Sequence, residues 1–257
     1  MSGILYLIGS PIGNSEDISN RLINAVTNAT TVCVEDEDRF SKFCKENNLT
    51  YTADIIDISY SLGNDREFNN KDLIINKLLS GEDVHIISDE GMPGVCDPGI
   101  MLTHLAVHKN ITVKVSPGPS TIIAAAIVAG VGNGFSFEQF PPHNEQGQEE
   151  MLWDKLLEKN QPMIFLLQNP KSLPESSEDK VFKVWPTNSV FYFINKAIEK
   201  FGEHRSAVFC NNLTFSNENV IRGSLRTIKE YIDNNPAKLD KMCIVVDGKD
   251  HNVARPK

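Results

Sequence analysis

Three segments of this chain combine glycine, proline and polar side chains in a way that suits ligand binding. They are Gly9-Ser10-Pro11-Ile12-Gly13-Asn14, the longer Ser88-Asp89-Glu90-Gly91-Met92-Pro93-Gly94-Val95-Cys96-Asp97-Pro98-Gly99, and Pro117-Gly118-Pro119-Ser120-Thr121. Glycine lets backbone approach a ligand closely, and proline holds a turn rigid. Ser120 heads a predicted helix, where free N–H groups can hold a carboxylate. A fourth segment, Glu35-Asp36-Glu37-Asp38, is acidic. Glu35 or Asp36 could serve as a base for an acceptor hydroxyl, whereas Glu37 and Asp38 read more simply as a solvated turn. Taken singly, each of the three loops is as well explained by a stiff turn, and Asp97 by capping of the helix that follows.

Other chemistries leave no trace. There is no G-x-G-x-x-G and no P-loop, and Gly130-Val131-Gly132-Asn133-Gly134 follows a helix rather than a strand, so it reads as a linker. His104 and His108 are four apart on a predicted helix but lack the glutamate of a zinc-protease motif. Cys33, Cys44, Cys96, Cys210 and Cys243 form no C-x-x-C pair, and their number is odd. No metal is expected, and free thiols in a reducing cytoplasm fit best.

The elements that must position these loops alternate. Ile4–Ile8 reads as a strand, followed by a helix with Ile18, Leu22, Ala25 and Val26 on one face. Asn14 or Ser15 is its predicted cap. Strands are expected at Thr31–Val34, Ile55–Ile58, Val84–Ser88 and Thr112–Val115, and helices at Leu73–Leu79 and after Pro98. This βαβα order predicts a largely parallel sheet with helices on both faces. Each of the three loops then follows a strand, where α/β sheets bind ligands.

Ser116-Pro117-Gly118-Pro119-Ser120 breaks the chain, so a domain boundary is expected there: 1–117 as an N-terminal α/β domain, 118–250 as a C-terminal domain with a mixed sheet, and 251–257 as a tail. In the second half, helices are expected at Thr121–Val128, Gln146–Lys159 and Asn188–Phe201. Its strands are expected at Ser136–Phe140, Met163–Leu167, Ala207–Asn211, Val220–Arg222 and Cys243–Asp247, with Ser172–Thr187 as a loop.

The length of 257 residues allows one large domain or two smaller ones. No run approaches the roughly 18 apolar residues of a membrane span, and the start Met1-Ser2-Gly3-Ile4 has no basic leader region. A cytoplasmic protein without membrane contact is expected. The formal charge of −9 argues against a broad basic surface for nucleic acid, although not against a local patch.

The three loops, in this order, resemble the tetrapyrrole-methylase superfamily, and within it the bacterial branch that methylates a ribose 2′-hydroxyl of small-subunit ribosomal RNA. Leu5-Tyr6-Leu7-Ile8-Gly9-Ser10-Pro11-Ile12-Gly13-Asn14 is similar to that branch's opening motif, and Val34-Glu35-Asp36 to the start of its E-D-T-R motif. Ile87-Ser88-Asp89, Gly91, Pro93 and Asp97-Pro98-Gly99 fit its S-D-A-G-T-P-x-x-S-D-P-G loop. Pro117-Gly118-Pro119-Ser120, Leu213-Thr214 and Val220-Ile221-Arg222-Gly223 fit further segments. The chain departs from the pattern where the family arginine falls on Asp38, with Arg39 adjacent, and where P-H-R reads Pro170-Lys171-Ser172. It departs again where R-E-L-T-K reads Asn211-Asn212-Leu213-Thr214-Phe215.

The resemblance implies an α/β protein of two α/β domains, with S-adenosylmethionine in the cleft between them and S-adenosylhomocysteine as product. It also implies a homodimer, and RNA or the small ribosomal subunit as partner. Carried over residue by residue, Pro11 and Ile12 would lie near the cofactor. Asp89, Gly91 and Met92 would line its amino-acid or ribose end, Ser120 and Thr121 would meet its other polar groups, and Leu167 would pack on the adenine side. Two other readings stand beside the RNA methyltransferase: a methyltransferase for a small or tetrapyrrole-like acceptor, and a cofactor-binding protein without turnover.

Overall fold

The computed structural model describes residues 1–59, 70–142, 148–169 and 189–249. The expected loop Ser172–Thr187, the segment Pro170-Lys171-Ser172 and the tail 251–257 lie outside the described residues. The chain divides into two compact units, Met1–Ser120 and a second that begins at Thr121.

The first unit is a five-stranded parallel sheet of β1 (Ile4–Ile8), β2 (Thr31–Val34), β3 (Asp54–Asp57), β4 (Val84–Ile87) and β5 (Thr112–Ser116), in the order β3-β2-β4-β1-β5. The central strands are apolar on successive residues because both faces are covered. Helices α1 (Asn20–Asn28) and α2 (Glu37–Glu46) cover one face, packing Leu22, Val26, Phe40 and Cys44 against Ile8, Val32, Val34 and Ile87. Helices α3 (Lys71–Leu79) and α4 (Gly99–His108) cover the other, packing Ile74, Leu78, Leu102 and Ala106 against Leu5, Leu7, Cys33 and Ile86. The parallel sheet and the two helical layers are those expected from the pattern.

Boundaries differ in instructive ways. Asn14 does not cap the first helix. It caps a short 3-10 turn, Ser15–Asp17, by accepting the Glu16 N–H at 3.0 Å, and Ser19 caps α1 by accepting the Leu22 N–H at 3.1 Å. The side-chain oxygen nearest the helical stretch wins, because an N-cap must lie within three residues of the donor it satisfies. Helix α2 was not expected at all. Asp36 caps it, Glu37 and Asp38 complement the positive end of its dipole, and Phe40 and Cys44 anchor it at i, i+4 spacing.

The second unit holds a mixed sheet of β6 (Ser136–Phe137), β7 (Met163–Leu167), β8 (Ser206–Asn211), β9 (Asn219–Ser224) and β10 (Met242–Val246), ordered β6-β7-β10-β8-β9. Only the β6–β7 pair is parallel; the others are antiparallel. Helix α5 (Thr121–Ala129) lies on one face through Ala125, Ala126 and Ala129, and the chain turns at Gly130, whose φ is +76°. Helices α6 (Glu149–Leu157), α7 (Val190–Phe201) and α8 (Leu225–Asn234) cover the other. Trp153, Phe165 and Phe193 pack there with ring centroids 5.0 to 5.7 Å apart. Each such buried side chain contributes about 1.5–3 kcal/mol of transfer free energy.

Candidate functional site

In the first unit the registers make the strand ends level. Ile8 of β1 stands opposite Ile87 of β4 and Ser116 of β5, and Ile87 stands opposite Val34 of β2. The loops that begin at Gly9, Glu35, Ser88 and Pro117 therefore leave the sheet at one edge. The chain runs from β1 to β2 and β3 in one direction, then returns to β4 and β5 in the other. The neighbours β1 and β4 thus send their following helices to opposite faces. Where this happens in an open α/β sheet, the diverging loops leave a crevice that holds ligands.

The three glycine- and proline-containing segments meet there. The Gly9 N–H donates to the Ser116 carbonyl at 3.0 Å and the Ser10 N–H to the Gly91 carbonyl at 2.8 Å. The buried Ser10 hydroxyl donates to the Ser88 carbonyl at 3.0 Å, and the Ser88 hydroxyl to the Gly91 carbonyl at 3.0 Å. The Gly118 N–H donates to Met92 Sδ at 3.1 Å. Gly9 and Gly118 touch backbone to backbone: a Cβ on Gly9 would lie 2.7 Å from the Gly118 Cα. Gly91 has φ +80°, which L side chains rarely adopt, and packs beneath Ile12.

Asp97 fastens the long loop. Its carboxylate accepts the Gly94 N–H on both oxygens at 2.8 Å, the Val95 N–H at 3.1 Å and the Gly99 N–H at 2.7 Å. Pro98 rather than Asp97 is the N-cap of α4, and Asp97, one residue earlier, reaches the Gly99 N–H at the helix start and closes the turn ahead of it. The neighbouring Cys96 sits at φ +63°, and burial and the Asp97 charge push its thiol up to about 11, so it is a poor nucleophile at neutral pH.

Glu35 and Asp36 have separate surroundings. Burial pushes the Glu35 carboxyl up to about 8, and the charges of Asp89 and Asp97 add to the shift. The Asp89 N–H, which Glu35 accepts at 3.3 Å, and the Arg39 guanidinium pull the other way. Asp36 accepts the Arg39 N–H at 3.1 Å as the α2 cap. Sequence reasoning notes Arg39 only as the neighbour of the family arginine position and misses its contact with Asp89, where Nη1 lies 3.2 Å from Oδ2. It also missed the binding together of loops by Ser10. The first pair is 50 residues apart, so no local pattern could disclose it.

The remaining predicted residues are distributed as follows. Pro11 and Ile12 are buried, and Met92, Asp89 and Ser120 are partly exposed. Thr121 opens α5 and is half-buried. Leu167 ends β7 with its side chain inside the core that holds Phe165, Val190 and Met242, while Leu166 faces the α5 side. His104 and His108 are both exposed on α4, and among the described residues no three His, Cys, Asp or Glu side chains are grouped as a metal site would need. The departures at Asn211 and Asn212 are structural. Both are buried, and their amide oxygens accept the N–H groups of Asp240 and Lys241 at 3.0 and 3.1 Å.

A parallel α/β sheet with carboxylates and close-packed glycine loops at its carboxyl edge, joined to a second unit built on a mixed sheet, defines the class as an α/β ligand-binding enzyme fold. Residues 4–229 match the family described as Tetrapyrrole (Corrin/Porphyrin) Methylases, and the chain belongs to that family, as the loop resemblance implied. It is a methyltransferase. Among similar sequences is the Ribosomal RNA small subunit methyltransferase I of Mycobacterium tuberculosis (strain CDC 1551), 29% identical over 87% of this chain and 71% of that protein. A protein of the same name from Xylella fastidiosa is 28% identical over 98% of this chain and 85% of its own length. The fold is shared with uroporphyrin-III-C-methyltransferase from Thermus thermophilus, with TM-score 0.60, 14% identity, and coverage of 96% of this chain and 94% of that one. Among the described residues no helix is long and apolar enough to cross a membrane.

Proposed function

We propose that this protein transfers a methyl group from S-adenosylmethionine to a ribose 2′-hydroxyl of small-subunit ribosomal RNA and releases S-adenosylhomocysteine. The observation that carries the reading is the meeting of the three loops beside Glu35, Asp89 and Asp97, in a chain whose relatives are named as ribosomal RNA methyltransferases. We further propose that it works as a cytoplasmic homodimer acting on the small subunit.

The residues fit the donor. S-adenosylmethionine carries a sulfonium and an ammonium, and the carboxylates of Asp89 and Asp97 and, once ionised, of Glu35 make this edge of the sheet negative. Asp89 can accept from hydroxyl or ammonium groups, and Pro11 and Ile12 offer apolar surface. The Ser116 hydroxyl is buried at the same edge with no hydrogen-bond partner in the structure. Gly91 and Met92 would line the donor, and Ser120 and Thr121, at the end of the third loop, complete the proposed set; Leu167, whose side chain lies in the core of the second unit, does not belong to it. When bound, the donor supplies an electrophilic methyl group. The protein contributes alignment of the two reactants, which is worth several kcal/mol or more of the barrier.

Glu35 is the better placed of the two candidate bases, because Asp36 is engaged at the helix start. A carboxyl with a pKa of about 8 can take the proton of an alcohol as its oxygen is alkylated. The ribose hydroxyl distinguishes RNA from DNA, and methylation there removes the nucleophile of alkaline cleavage.

The test is transfer of labelled methyl from S-adenosylmethionine into isolated small ribosomal subunits. Label retained in alkali-resistant dinucleotides would support the reading. Label in a small-molecule fraction would replace it with a small or tetrapyrrole-like acceptor. Cofactor binding without transfer to any fraction would replace it with a non-catalytic role.

A further inference from the structure

Arg39 stands in the first turn of α2 and reaches the loop that follows β4. Its Nη1 lies 3.2 Å from Asp89 Oδ2, and its Nε lies 3.8 Å from Asp36 Oδ2. Four residues earlier, Glu35 accepts the backbone N–H of Asp89 at 3.3 Å. One short segment at the end of β2 therefore grips both the backbone and the carboxylate of Asp89, in the loop that follows β4, the neighbour of β2. The charged groups around Glu35 are the carboxylates of Asp89 and Asp97 and the Arg39 guanidinium. The cation thus stands in a field of like charges that would otherwise push Asp89 outward.

Little of this contact serves folding. The Arg39 side chain is 63% exposed, and pairs of that exposure contribute about 0–1 kcal/mol to stability. What the pair fixes is a direction. The guanidinium contact restrains the Asp89 carboxylate, so a ligand meets a group that is already oriented in part.

We propose that Arg39 is a positioning residue, which holds the Asp89 carboxylate in the orientation that meets the polar groups of the methyl donor. The inference rests on the reading in which Asp89 contacts that donor, and its test separates the two.

The measurement is calorimetric affinity for S-adenosylhomocysteine between pH 6 and 9, on the full chain and on Arg39→Gln, Arg39→Lys, Asp89→Asn and the double variant R39Q/D89N. Arg39→Gln weakens binding about five- to tenfold with unchanged melting temperature. Arg39→Lys recovers most of the loss, because an ammonium can still reach the carboxylate. The double variant binds no worse than Asp89→Asn alone, as expected for a residue that acts through its partner. The pH midpoint of the affinity moves upward in Arg39→Gln, because the charge that favours ionised Glu35 is gone. Wild-type affinity in Arg39→Gln, with weakened binding in Asp89→Asn, overturns the inference and leaves the donor site intact. Additive losses in the double variant overturn it too. Wild-type affinity in Asp89→Asn removes Asp89 from the site, and the inference falls with it.

Discussion

Replacing Asp97 by alanine removes one carboxylate and strands three backbone donors. A hydrogen bond to a charged acceptor contributes about 1.5–3 kcal/mol net, and a buried donor left unsatisfied costs about 1–3 kcal/mol. The three donors are not equal. Val95 is exposed, so its N–H regains water, and Gly94 is half-buried and regains part of it. Gly99 is buried at the start of α4, so its N–H stays unpaired. Charge at a helix N-terminus adds about 0.5 kcal/mol. Together these give a loss of about 3–4 kcal/mol. For a unit of this size the melting temperature falls by roughly 12–16 °C. Asparagine keeps one acceptor oxygen but turns an amide donor toward N–H groups, so Asp97→Asn loses about half as much. Hydrogen exchange across residues 94–108, with thermal melts followed by circular dichroism, reports the change. Wild-type protection in that segment and a stability change under 1 kcal/mol would refute the argument that Asp97 fastens the loop.

Three further outcomes follow from the same contacts. Gly118→Ala places a Cβ 2.8 Å from the Gly9 Cα, so the first and third loops must part; a loss of about 2–3 kcal/mol in urea unfolding is expected. Asp89→Ala weakens donor binding by calorimetry, and unaltered affinity would remove that residue from the site. Glu35 carries a pH signature. Its folded pKa of about 8 lies above the ordinary value of 4.5, so the folded state holds an extra proton between those values and stability declines as pH rises across that window. Glu35→Gln abolishes that decline and, if Glu35 is the base, also the rise of methyl transfer with pH near 8; a pH–stability curve identical to wild type would contradict the assignment.

Much of the first unit was legible because its signals are local. The apolar runs at Ile4–Ile8 and Thr31–Val34 are read directly as strands, and glycine and proline mark the loops between elements. The gathering of loops at one sheet edge follows from parallel strands, which the βαβα alternation foretells; the strand order β3-β2-β4-β1-β5 does not follow from it. Helix α2 escaped because its start is the acidic segment Glu35–Asp38, read there as chemistry or as a solvated turn. Its apolar residues Phe40, Phe43 and Cys44 are too few and too widely interrupted by charged residues to announce a helix on their own. Helix α8 escaped although Ser224 caps it and Leu225, Ile228 and Ile232 have helical spacing. The contacts that make the candidate site are of another kind. Ser10 to Ser88, Gly9 to Gly118 and Arg39 to Asp89 join residues 50 or more positions apart, and each depends on register rather than on neighbouring residue types.

The central claim is that the three loops of the first unit hold the methyl donor. Hydrogen exchange of the intact protein with and without S-adenosylhomocysteine tests it directly. The account predicts added protection at residues 9–14, 88–99 and 118–121 together. Ligand binding that leaves these segments unprotected, or protects only residues elsewhere, would contradict it.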